Sequence, residues 1–112
     1  ESFTLVPHET ILIPTGIRVM IEDGWVLQLY PRSGLGFRHR LQLDNTVGVI
    51  DSDYTGEIRV GLVNLSDEAY TIQPGDRVAQ MMISPVILPA LRFVDELDET
   101  ARGAGGLGST GR

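Results

Sequence analysis

Polar and apolar residues alternate with a period of two along most of the chain. The clearest case is Glu57-Ile58-Arg59-Val60-Gly61-Leu62-Val63-Asn64, where apolar Ile58, Val60 and Leu62 alternate with other residues, as in a strand with one buried face. Trp25-Val26-Leu27-Gln28-Leu29-Tyr30 is a second run, rich in aromatic and branched residues, set between Asp23-Gly24 and Pro31. Further strands are expected at Thr10–Pro14, Gly16–Ile21, Thr46–Ile50, Ala69–Ile72, Arg77–Pro85 and Leu91–Val94. Turn residues separate them at Pro14-Thr15-Gly16, Glu22-Asp23-Gly24 and Pro74-Gly75. The last suits a type II turn, with Pro fixing φ and Gly supplying the positive φ that follows. No segment sustains a helical period. Many short strands at close spacing predict an all-β barrel or jelly roll.

Composition narrows this picture. A chain of 112 residues is one small domain, which buries a modest share of its unfolded surface. With no cysteine, neither a disulfide nor a thiolate–metal framework can reinforce it, so association with further copies is the remaining common remedy. Absence of cysteine also fits a reducing compartment. No apolar run is long enough to span a membrane and no basic-then-apolar leader opens the chain, so a soluble, cytoplasmic protein without a membrane partner is expected. A net charge of −6 argues against non-specific binding to nucleic acid. All nine basic residues are arginine, the side chain suited to bidentate phosphate contacts.

Four segments carry candidate chemistry. NTVGVIDSDYTGEI, Asn45 to Ile58, sets two apolar runs around an acidic, Gly-bounded turn, and reads as a β-hairpin holding Asp51, Asp53 and Tyr54 over a cleft. Asp51 and Asp53, two apart on an extended strand, would share a face. Either carboxylate could orient a water and take its proton; the ordinary fate of such residues is an Asx turn. PRSGLG, Pro31 to Gly36, offers Arg32, the Ser33 hydroxyl, and backbone that can approach an anion at Gly34 and Gly36. GDRVAQ, Gly75 to Gln80, taken alone is a turn. RGAGGLGSTG, Arg102 to Gly111, follows the acidic run Asp95-Glu96-Leu97-Asp98-Glu99. It lacks the Gly-Lys-Ser/Thr ending of a phosphate-binding P-loop.

In this order and spacing the four segments resemble motifs two to five of the trimeric deoxyuridine triphosphatases, and the likeness runs from about Val6 to the end. The resemblance implies a distorted jelly roll at residues 1–98, with a flexible Gly-rich C-terminal flap at 99–112. It also implies a homotrimer whose active sites are shared between subunits. The activity implied is hydrolysis of dUTP to dUMP and pyrophosphate by a water that Asp51 activates for attack on the α-phosphate, with Asp53 supporting the loop. Arg32, Ser33 and Gly34 would contact the triphosphate. Asn45 would read uracil, helped by backbone groups along Gly48, Val49 and Ile50 and at Arg59, while Tyr54 packs on the deoxyribose. Gln80 would hold phosphate or metal-bound water. Arg102 would clamp the γ-phosphate, with Leu107, Gly108, Ser109 and Thr110 closing over the nucleotide. Leu107 stands where the family usually has phenylalanine, so weaker closure over the base is expected.

The metal implied is Mg²⁺, carried by substrate phosphates and waters with no direct protein ligand. Glu1 to Thr4 contain nothing that matches the family's first motif, and no initiator Met is present, so that motif is expected upstream of a trimmed start. Two other readings stay open: a non-catalytic nucleotide-binding regulatory relative, and a member of the dCTP deaminase group. GVIDSDYTG resembles the deaminases less closely.

Overall fold

The computed structural model describes residues 1–111; the last residue of the expected flap, Arg112, lies outside the described residues. The elements in chain order are β1 (Phe3–Leu5), β2 (Thr10–Arg18), β3 (Trp25–Tyr30), α1 (Ser33–His39), β4 (Leu41–Leu43), β5 (Gly48–Ile50), β6 (Glu57–Asn64), β7 (Tyr70–Ile72) and β8 (Gln80–Pro85). They form three antiparallel sheets ordered β1-β7, β2-β6-β4 and β5-β3-β8. The all-β expectation holds, but the sheets do not close on one another as a barrel.

The alternation read along β6 is real: Ile58, Val60, Leu62 and Asn64 are buried, and the residues between them are more exposed. Every sheet contributes to one core, built from Leu5, Ile13, Leu27, Leu29, Leu41, Leu43, Ile58, Val60, Leu62 and Ile72. Asn64 is the buried polar member, at 0% exposure. Its Nδ2 donates to the carbonyls of Leu5 at 3.0 Å and Glu68 at 2.9 Å, and its Oδ1 accepts from the Ser66 amide at 2.9 Å and hydroxyl at 2.7 Å. A buried amide with its donors and acceptor engaged is compatible with a tight core.

Several expected elements differ. Thr10–Pro14 and Gly16–Ile21 are not two strands but the single β2, which bulges between Pro14 and Arg18 and continues. The Pro74-Gly75 turn is present: Gly75 has φ +91° and the Asp76 amide donates to the Gln73 carbonyl at 3.0 Å. Strand β8 starts only at Gln80, after the turn has straightened. The segment Leu91–Val94 has no ladder, since no strand of this chain lies beside it.

A short helix occupies Ser33–His39, where none was expected. It buries no residue fully, so it leaves no 3.6-residue apolar stripe to detect. Partly buried Leu35 packs against the core, Arg38 and His39 sit favourably in the last turn, and Arg40 closes the end at φ 56°.

Beyond Pro85 the chain carries no regular element among the described residues. Ile87, Leu88, Leu91, Phe93 and Leu97 are all more than four-fifths exposed. The radius of gyration is 19.2 Å, against about 13 Å for a compact domain of roughly 100 residues. This arm therefore leaves the stranded body of the chain.

Candidate active site

The expected Asn45–Arg59 hairpin is not a paired hairpin. β5 pairs with β3, whereas β6 lies between β2 and β4, so the two flanks of the acidic turn belong to different sheets. The turn consequently bridges two sheets, and a cleft opens between them. It has a volume of about 340 Å³ and is lined by Leu12, Val49, Ile50, Asp51, Tyr54, Glu57, Ile58 and Arg59. Five of the expected site residues, Val49, Ile50, Asp51, Tyr54 and Arg59, thus meet in one place.

Each is positioned by its own local constraint. Strand β5 has a partner on one side only, so backbone groups along its outer edge are free to meet a ligand. Gly48 sits opposite Leu29, and a Cβ there would approach the Leu29 Cβ to 3.1 Å; glycine lets β5 lie close to β3. Asp51 and Asp53 both lie beyond the end of β5, in the exposed turn, rather than on a shared strand face. The Tyr54 amide closes that turn on the Asp51 carbonyl at 3.1 Å. The Tyr54 hydroxyl donates to the Glu57 carbonyl at 2.7 Å, which ties the phenol back and leaves the ring to face the cleft.

Asn45 lies in the turn between β4 and β5 and is exposed. The Val47 amide donates to the Asn45 carbonyl at 2.7 Å across Thr46, whose φ is +65°. A positive φ at a β-branched residue is costly and pins this three-residue γ-turn in an unusual shape.

The expected phosphate residues gather elsewhere. Tyr30 pairs with Gln80, the Gln80 Nε2 donates to the Pro31 carbonyl at 2.9 Å, and Arg32 donates to the Arg77 carbonyl at 3.1 Å. PRSGLG and GDRVAQ are therefore neighbours at the C-terminal end of β3. Asp51 leaves β5 towards the opposite end, since Ile50 pairs with Leu27 and the Ser52 hydroxyl approaches Asp23 at 3.4 Å. Asp51 and Gln80 thus stand about four residue steps apart along β3, roughly 13 Å at 3.3–3.4 Å per residue, towards opposite ends of that strand.

The tail residues form a third group. The Arg102 Nε donates to the Gly105 carbonyl at 2.7 Å, and the Ser109 amide donates to that of Gly106 at 3.0 Å. Leu107 is wholly exposed, and Gly108 takes φ +76°. Thr110 is exposed as well. These hydrogen bonds stay inside the tail.

Sequence reading missed the groups that brace the turn. Arg18 donates to the Thr55 carbonyl at 2.7 Å, the Glu57 carboxylate accepts from the Gly16 amide at 2.8 Å, and the Thr15 hydroxyl donates to the Ile58 carbonyl at 2.6 Å. Residues some forty positions apart give no local signal of such contacts. Gly56 did carry one, as the glycine closing the DYTG turn. No group of three or more His, Cys, Asp or Glu among the described residues could hold a metal ion. No helix among the described residues is long and apolar enough to cross a membrane.

The family profile for dUTPase matches residues 1–111. The deoxyuridine 5'-triphosphate nucleotidohydrolase of Hahella chejuensis is 52% identical over 112 residues, covering 99% of this chain and 74% of that protein. Among solved structures, the dUTPase of Staphylococcus bacteriophage 80alpha with dUpNHpp superposes with a TM-score of 0.91 at 28% identity, covering 100% of this chain and 82% of that one. A mutant dUTPase of phage phi11, described as coordinating a structural Mg(II) ion, gives a TM-score of 0.82 at 26% identity, with coverage of 88% and 80%.

Proposed function

The chain belongs to the dUTPase family and its activity is hydrolysis of dUTP to dUMP; we propose that the cleft between β5 and β6 holds the nucleoside and that Asp51 is the general base. The observation that carries this reading is the meeting of a carboxylate, a tied-back phenol and a free strand edge in one cleft.

Uracil lies along the outer edge of β5, where backbone groups of Gly48, Val49 and Ile50 supply donors and acceptors, with Asn45 and the Arg59 backbone completing its polar edge. The Tyr54 ring packs on the deoxyribose. Its hydroxyl is already engaged, so a 2′-hydroxyl would meet a ring face with no partner, a loss that polar sites exploit to reject analogues. Asp51 takes a proton from a water as its oxygen bonds to the α-phosphorus. The bond from that phosphorus to the α–β bridging oxygen breaks, and pyrophosphate leaves with the electron pair. Arg32, the Ser33 hydroxyl, the Gly34 amide and Gln80 neutralise and orient the phosphates. Mg²⁺ bound to the phosphate oxygens supplies further charge neutralisation. Asp53 supports the turn.

The placement of Asp51 and the Arg32–Gln80 group towards opposite ends of β3 supports a site composed from more than one subunit. Exposed Met81, Met82 and Ile83 on edge strand β8, together with the apolar arm after Pro85, give a subunit surface suited to association. We assign a homotrimer on these grounds. Residues 1–98, the stranded body with the arm after Pro85, act as the nucleotide-hydrolase unit, and 99–112 act as a flap that brings Arg102 to the γ-phosphate and Leu107, Gly108, Ser109 and Thr110 over the base. A nucleoside triphosphate substrate and a cysteine-free chain fit a cytoplasmic enzyme.

The test is pyrophosphate release from dUTP with Mg²⁺, with dTTP, UTP and dCTP as competitors. Hydrolysis selective for dUTP is expected. Binding of dUTP without hydrolysis would favour a trimmed chain or the nucleotide-binding regulatory reading, and ammonia release from dCTP would replace the activity altogether.

A further inference from the structure

We propose that the bulge of β2 is a positioning device for Tyr54, acting through Arg18 and completed by Gly56, and that it sets the preference for deoxyribose over ribose. The inference rests on the reading above that Tyr54 packs against the sugar.

Residues 51–56 belong to no strand, and their flanks diverge into separate sheets. Ladder pairing therefore cannot fix the height of the Tyr54 ring. The bulge does so instead. Pro14 pairs with Arg59 and Arg18 with Glu57, so four steps along β2 (14 to 18) face two along β6 (59 to 57). The surplus chain swings out towards the turn, with Gly16 at φ +75°. It is secured by the Thr15 hydroxyl on the Ile58 carbonyl and the Gly16 amide on the Glu57 carboxylate. From its end, Arg18 reaches the Thr55 carbonyl at 2.7 Å, a charge-assisted bond to the residue next to Tyr54.

Gly56 supplies the floor. A Cβ at that position would lie 2.6 Å from the Tyr54 Oη and 2.8 Å from its Cζ, so the ring rests directly on the glycine backbone. Gly56 is not at positive φ; its need is for space. Arg18 thus holds the turn from outside, Gly56 receives the ring from below, and the Tyr54 hydroxyl locks on Glu57. Displacement by a few tenths of an ångström would open room beside C2′.

The experiment compares kcat/KM for dUTP and UTP in the wild type, Arg18→Met, Arg18→Lys and Gly56→Ala, with Tm measured alongside. Arg18→Met keeps the apolar stem and removes the donor; the dUTP-to-UTP ratio should fall about tenfold with little change in Tm. Arg18→Lys should restore most of the ratio, and Gly56→Ala should lower it further by lifting the ring. The ratio does not depend on how much protein is folded, so a merely structural role would lower both rates and leave it unchanged. An unchanged ratio in Arg18→Met overturns the proposal, whether or not Gly56→Ala folds. Tyr54→Ala separates this from the underlying reading. If that variant keeps the wild-type ratio, Tyr54 is not the sugar contact at all.

Discussion

The turn at 51–56 and the tail at 100–111 are both polar, both rich in small residues and both without regular structure, yet they are tied down differently. The turn is fastened by contacts across the chain, from Arg18 to Thr55 and from Ser52 to Asp23. The tail is fastened to itself, through bonds between residues three apart such as Arg102 to Gly105 and Gly103 to Thr100. The first segment is organised before any ligand arrives, and its ordering entropy is spent during folding. The second makes its hydrogen bonds within itself; as the proposed flap it would order over a nucleotide at a cost met on binding. A base and a sugar contact need the former; a lid needs the latter.

This contrast can be broken most sharply at Asp51. Asp51→Asn should lower turnover about 10³-fold, within the usual range for loss of a general base, while binding of a non-hydrolysable dUTP analogue and Tm stay near wild type. Retained turnover, read as pyrophosphate release, would shift the chemistry out of the braced turn. Next in size is Asn64→Ala, which strips a side-chain partner from the buried carbonyl of Leu5 and from the part-buried Ser66 amide. It should cost roughly 2–3 kcal/mol in urea unfolding, because buried groups left unpaired keep their full desolvation penalty.

Deleting Arg102–Arg112 should show the opposite signature. Unfolding would be unchanged, while kcat/KM for dUTP would fall roughly 10–100-fold, the value of a charge-assisted contact and a lid. A deletion mutant that unfolds would show the tail to be part of the core. The smallest effect is expected from Leu107→Phe: a KM lower by roughly two- to tenfold, since an aromatic contact adds about 0.5–1.5 kcal/mol. An unchanged KM would mean that Leu107 does not reach the base.

The limits of the sequence can be traced to particular residues. β6 was legible because Ile58, Val60 and Leu62 repeat every second position and all face the core. The Pro74-Gly75 turn was legible because each residue carries its own backbone restriction. The helix at Ser33–His39 was not, since it buries no residue fully and includes Gly34 and Gly36. β1 and β4, three residues each, were missed; their pairing is set by the distant strands β7 and β6. Leu91–Val94 read as a strand from its composition alone, but a strand requires a partner.

By itself, then, the sequence determined the β class, the positions of the longest strands and turns, and the residue types required for nucleotide chemistry, because each depends on local period or on single-residue restrictions. Tertiary structure alone decided that β5 and β6 part into different sheets, that Asp51 and Arg32 stand towards opposite ends of β3, and that Arg18 braces Thr55. The reason is physical: strand pairing and long-range hydrogen bonds are chosen by how the whole core packs, and no short stretch of chain carries that choice.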